Sequence, residues 1–181
     1  PLPGRLMRVA CFISGSGTNA RKIIEHSQHH GSSYRVELIF TDTKDETLDR
    51  EGRKICRALN IAKEYGIEYE CVDIMDFYMS HGHTSKKDLS LRPDFDTQVV
   101  ATLEKHRVDL IALAGYMSIT TKPLLNRYDG RVINVHPADL SKMMNGERKY
   151  VGVHSVRDAI LAGEKELRAT THVVREKVDA G

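Results

Sequence analysis

The sequence is poor in cysteine, in excess charge of either sign and in long hydrophobic runs. Its three cysteines, Cys11, Cys56 and Cys71, are scattered, odd in number and without metal-ligand spacing. They exclude a disulfide framework and read as thiols in a reducing, cytoplasmic compartment. Lys and Arg balance Asp and Glu to a net charge of +2, with no basic block, which argues against a nucleic-acid partner. No apolar run approaches a membrane span and no signal peptide is recognisable, so no membrane partner is expected. The opening PLPGRL lacks a methionine and carries no fold expectation.

What is present suits a globular chain. With 40% hydrophobic and 29% charged residues, 181 residues can form one domain, 1–181, with a sizeable core. Strand-like and helix-like stretches alternate. MRVACFIS, YRVELIFT, IEYECVD, VDLIALAG, RVINVHP and RATTHVVRE read as strands. Helices are expected from about Asn19 to His29, over FDTQVVATLEKHR with Phe95, Val99 and Leu103 four apart, over TTKPLLNRY and over HSVRDAILAG. The charged segment Asp45–Tyr65 is also expected to be helical, with Leu48, Ile55, Leu59 and Ala62 on one face and Gly66 as its stop. This alternation predicts an α/β, Rossmann-like, mostly parallel twisted sheet with helices on both faces. Such sheets bind ligands beyond the C-terminal ends of their strands, here 14–19, 41–44, 73–92, 115–120, 134–151 and 175–181.

Three of those segments carry candidate chemistry. SGSGTN opens the first helix, where glycines permit close backbone approach and the helix N-terminus offers free N–H groups. Gly17, Thr18 and Asn19 are therefore candidates for a phosphate, although the segment matches neither Gly-x-Gly-x-x-Gly nor a P-loop. The alternative is a tight turn with Thr18 as an N-cap. Asn134 and His136 are two apart, so both face one side of their strand. An amide beside an imidazole suits a reaction that develops charge on a carbonyl oxygen, the alternative being a buried, hydrogen-bonded histidine. Asp179 follows the last strand; a carboxylate near His136 would orient it and favour its charged form, whereas a plain turn aspartate would not. His81 and His83 form His-x-His without an evident third ligand, so no metal is expected. Gly-Ser-Gly at 15–17 is not the spacing of a hydrolase nucleophile.

With these segments in order, the chain resembles the folate-dependent formyltransferases, most of all those acting on glycinamide ribonucleotide. The resemblance runs from about Val9 to Gly181 and is carried by ISGSGTN, LAGYMSI, RYDGRVINVHP, GVHSVRDAI, THVV and VDAG. It implies formyl transfer from the co-substrate 10-formyltetrahydrofolate to the amine of phosphoribosylglycinamide, a small-molecule reaction of purine biosynthesis without a metal. It further implies that Asn134, His136 and Asp179 are catalytic, with His172 in support. Gly17, Thr18 and Asn19 would hold the acceptor's phosphate. Arg92, Met117, Ser118, Ile119, Thr120 and Asn134 would contact the folate. Alternatives are another amine acceptor, a formyl-folate hydrolase or a non-catalytic Rossmann-like binding module.

The chain departs from the family pattern at several points. Ser118 stands where a basic residue is usual, Thr120 where a leucine is, and Val156 where a second histidine is. HPSLLP is HPADLS here, placing Asp139 three residues past His136 on an extended loop, KMMNGERKYVG. If that loop folds back, Asp139 is expected either to meet a cationic acceptor or to pair with Lys142, Arg148 or Lys149. The chain stops just past Asp179, without the family's C-terminal end. The oligomeric state is left open.

Overall fold

The computed structural model describes residues 5–152 and 154–181; PLPG at the start and Val153, part of the GVHSVRDAI stretch, lie outside them. The strands are β1 (Met7–Phe12), β2 (Tyr34–Thr41), β3 (Glu68–Cys71), β4 (Leu110–Leu113), β5 (Val132–His136), β6 (Met143–Met144), β7 (Glu147–Arg148) and β8 (Thr170–Val173). The helices are α1 (Thr18–Ser27), α2 (Ala58–Tyr65), α3 (Ile74–Ser80), α4 (Arg92–Glu104), α5 (Lys122–Arg127) and α6 (Ser155–Leu161). Six strands form one sheet in the order β3-β2-β1-β4-β5-β8. Every neighbouring pair is parallel except β5–β8, which is antiparallel.

Alternation along the strands builds two cores. Ala10 and Phe12 of β1 pack with Ile74 and Tyr78 of α3, Phe95, Val99 and Leu103 of α4 and Leu124 of α5. Val9, Cys11 and Ile13 point the other way, onto Ala20 and Ile24 of α1 and Ile61 and Ala62 of α2. Period-two strands and helices with one apolar stripe leave this sandwich as the arrangement that buries both. The expected fold class is therefore the observed one.

One expected helix is mostly absent. Only Ala58–Tyr65 of the segment Asp45–Tyr65 is helical, ended as expected by Gly66 in the left-handed region (φ 64°). Upstream, the Asp49 carboxylate accepts from the N–H groups of Glu51 and Arg53, and Gly52 takes φ 77°. That is a tight turn closed by the Leu48–Lys54 bridge. Local side-chain bonding of this kind competes with helix. Leu48 and Ile55 are consequently exposed rather than buried on a helical face. Helix α3 was not anticipated; Asp73 caps it through the N–H groups of Met75 and Asp76.

Among the described residues, no helix is long and apolar enough to cross a membrane.

Candidate active site

The strand order places the switch of winding direction between β1 and β4. The loops leaving these two strands diverge there and open a crevice. Ser14 ties them together: its N–H donates to the Gly115 carbonyl, and its hydroxyl accepts from Met117 N at 3.0 Å. That hydroxyl donates in turn to the Asp42 carboxylate at 2.7 Å, and Ser118 donates to the other Asp42 oxygen. Asp42 is buried, with both oxygens engaged. On the far side, Asp96 anchors the end of the cavity loop by accepting from Thr121 N (2.5 Å) and Thr121 Oγ1 (2.7 Å). Burial pushes the Asp96 carboxyl up to about 6 despite these donors and Arg92.

The crevice is a cavity of about 510 Å³, a size usual for small-molecule sites. Its walls include Asn19, Met117, Ser118, Ile119, Thr120, Asn134, His136, His172 and Asp179. So α1, β4, β5, β8 and the segment after β8 all converge on it. Asn134 and His172 are paired residues across the antiparallel β5–β8 ladder.

The tautomers follow from the hydrogen bonds. His172 Nδ1 is 3.2 Å from the Val173 carbonyl, which can only accept, so this nitrogen carries the proton. Nε2 then accepts from Asn134 Nδ2, an amide nitrogen that can only donate, at 3.3 Å. This orients the amide and leaves its second N–H for the cavity. His136 Nε2 is 2.8 Å from the Tyr150 carbonyl, so it too is a donor. The nitrogen that can gain or lose a proton is therefore Nδ1, which lies 3.4 Å from Asp179 Oδ2. Both His136 and Asp179 are buried. Oδ2 of Asp179 also accepts from Gly152 N at 2.8 Å, and Oδ1 lies 3.7 Å from His172 Nε2.

The loop after β5 closes this side of the site. Asn145 and Gly146, both at positive φ, turn the β6–β7 hairpin. Only a glycine or a short polar residue takes such angles readily, so Asn-Gly suits the turn. Beyond it Tyr150 is buried against Ala138 and Ala159, and its hydroxyl donates to Glu164 at 2.6 Å. Lys142 and Lys149 also reach Glu164, whose carboxyl is held down to about 2 chiefly by the hydrogen bonds from Lys142 and Tyr150. The loop does fold back, but the Asp139 carboxylate is engaged by neither Lys142, Arg148 nor Lys149. Asp139 accepts from Ser141 N and Ser141 Oγ, lies 3.9 Å from Arg168 and does not line the cavity.

Other candidates are also placed differently. Arg92 begins α4 on its buried face, with its guanidinium 5.8 Å from the Tyr78 ring and 5.7 Å from that of Phe95. Its Nε and Nη1 have no hydrogen-bond partner among the described residues, and it does not reach the cavity. Of the three loop residues, Asn19 lines the cavity while Gly17 and Thr18 do not. Thr18 is not an N-cap: the cap is Gly17 at φ 70°, and no side-chain cap bond is made among the described residues. A Cβ on Gly17 would press on Cδ1 of Ile61 in α2, and the left-handed backbone favours glycine there in any case. His81 bonds the Phe77 carbonyl and His83 lies 3.9 Å from Asp88, so the two histidines do not converge.

Sequence reasoning missed Asp42 and Tyr150. Asp42 lies in the segment 41–44 just past a strand, which was a signal for it. Tyr150 contributes a backbone carbonyl, for which no residue type is a signal.

Comparison with known proteins adds to this geometry. The family model for formyl transferase matches residues 7–181. The chain is 32% identical over 181 residues to the trifunctional purine biosynthetic protein adenosine-3 of Drosophila melanogaster, covering 99% of itself but 11% of that protein. It is 31% identical to the phosphoribosylglycinamide formyltransferase of Haemophilus influenzae, covering 97% of itself and 69% of the relative. The solved phosphoribosylglycinamide formyltransferase of Streptococcus pneumoniae superposes with a TM-score of 0.71 at 31% identity, over 97% of this chain and 78% of that one. The glycinamide ribonucleotide transformylase 1 of Symbiobacterium toebii gives a TM-score of 0.76 at 27% identity, over 98% and 70%.

Proposed function

The chain belongs to the formyl transferase family, and we propose that it transfers the formyl group of 10-formyltetrahydrofolate to the amine of phosphoribosylglycinamide, a step of purine biosynthesis. The observation that carries this reading is the convergence of Asn134, His136, His172 and Asp179 at one cavity wall. A cytoplasmic setting goes with it, where Cys11, Cys56 and Cys71 would persist as thiols.

Formyl transfer to an amine needs two things from the protein. The nitrogen must be held against the formyl carbon, and the negative charge developing on the formyl oxygen must meet donors already in place. The free N–H of the Asn134 amide is one such donor. His136, protonated at Nδ1, is the second charge-stabilising group, and Asp179 balances its charge. As the carbon–amine bond forms, the amine gives up a proton; as the bond from carbon to the donor nitrogen breaks, that nitrogen takes one. His136 Nδ1 is the atom through which this proton moves. His172 acts through Asn134 by fixing its amide.

The folate supplies an activated one-carbon unit. Leu113, Met117, Ile119 and Val135 offer apolar wall suited to a flat heterocycle. The acceptor's phosphate is assigned to the first turn of α1, whose N–H groups lack a side-chain cap and whose Asn19 faces the cavity. The test is a formyl-transfer assay on the full-length protein with a panel of phosphorylated amines. Turnover with phosphoribosylglycinamide above all others is expected, and preference for another amine would reassign the acceptor.

A further inference from the structure

Building on the proposed transfer reaction, we infer that Arg148 is a positioning residue that holds Asp179 in place against His136. Asp179 sits at φ 53°, a left-handed conformation open to a short polar residue, and neighbouring groups fix it on both its carbonyl and its carboxylate. The guanidinium of Arg148 donates from Nη1 to the Asp179 carbonyl at 2.7 Å. Gly152 N donates to the Asp179 carboxylate at 2.8 Å, and the Tyr150 carbonyl accepts from His136 at 2.8 Å. All three bonds come from one short stretch, 148–152, that begins on the last residue of β7.

This stretch therefore grips both members of the His136–Asp179 pair at once. Two of its contacts are made by backbone groups, one of them on Gly152 at φ 73°. Arg148 is the one whose side chain makes the contact. Its side chain borders a second, smaller cavity of about 340 Å³, with Glu147, Lys177, Val178 and Asp179 around it. The guanidinium spans from the hairpin to the segment after β8 across this gap. The charged and titratable groups facing the Asp179 carboxylate are His136 and His172, with Arg148 on its carbonyl. Loss of Arg148 frees the carbonyl end, lets the backbone leave its left-handed angle and swings the carboxylate from Nδ1. A displacement of about 1 Å at a reacting group can cost on the order of 10²-fold in rate.

The experiment uses the full-length protein with Arg148→Ala, Arg148→Lys and Asp179→Asn. Arg148→Ala is expected to lower kcat about 10²-fold with KM for 10-formyltetrahydrofolate unchanged, and to give the pH profile of Asp179→Asn. Arg148→Lys should recover part of the loss, since an ammonium can also donate to the carbonyl. Combining Arg148→Ala with Asp179→Asn should add little, because both act through one carboxylate. Nitrogen NMR of the His136 ring, without substrates, provides a readout independent of turnover: Arg148→Ala should match Asp179→Asn. Wild-type His136 signals in Arg148→Ala, or additive losses in the double variant, would overturn the inference. Absence of transfer by the wild type would remove the proposed reaction, while the His136 signals would still decide the role of Arg148.

Discussion

His136 Nδ1 lies 3.4 Å from Asp179 Oδ2, and both residues are almost wholly buried. The opposite ring nitrogen is committed to the Tyr150 carbonyl, so the carboxylate faces the nitrogen that exchanges the proton. Asp179→Asn keeps an oxygen for Gly152 N but removes the charge. The variant is expected to fold, to transfer formyl more slowly and to show an altered pH–rate profile. A slower enzyme with an unchanged profile would place Asp179 outside the proton transfer.

Replacing His136 removes the proton carrier itself. His136→Ala should lose about 10²–10⁴-fold in rate. It also strands the buried Tyr150 carbonyl, at about 1–3 kcal/mol. A lowered melting temperature with retained circular dichroism should accompany the kinetic loss. Near-normal transfer would remove His136 from the mechanism.

The first turn of α1 makes a separable prediction. Free phosphate or sulfate should compete with the acceptor and not with the folate, and Asn19→Asp should weaken the acceptor alone. Competition with the folate would put the turn in the wrong half of the crevice. Gly17→Val is a poor probe of phosphate binding, because its Cβ meets Ile61 and its backbone is left-handed. It should destabilise the fold by about 1–3 kcal/mol, as overpacking does, measurable by urea titration.

Away from the site, His106 fastens the edge strand β3. Its Nδ1 is 2.5 Å from Glu68 and its Nε2 is 2.8 Å from Glu70, so both nitrogens must donate and the ring is charged. Burial alone would lower its pKa, but the hydrogen bonds to Glu70 and Glu68 outweigh it and the net shift is upward. A raised folded pKa means that the contribution is complete below the unfolded value of about 6.5 and fades as pH rises through the folded one. His106→Gln should flatten the pH dependence of unfolding in that window; an unchanged curve would show that the pair contributes nothing.

Much of this was legible in the sequence because it rests on period and punctuation. YRVELIFT is strand over its whole length, and Phe95, Val99 and Leu103 are buried as their spacing requires. Asn134 and His136 share a face because strands alternate. The differences share another physics. Asp139 was placed by sequence position, but a local Ser141 turn sets its surroundings. The lost helix upstream of Ala58 yielded to Asp49 bonding its own backbone. Tyr150 and Arg148 act across long sequence separations, one through a carbonyl, and neither leaves a pattern to read.

The most direct test of the central claim is a mass balance on the purified full-length protein with 10-formyltetrahydrofolate, with and without phosphoribosylglycinamide. Tetrahydrofolate and formylated acceptor should appear in equal amounts, and neither should form without the acceptor. Formate released at the same rate whether or not the acceptor is present would contradict formyl transfer and make the protein a hydrolase.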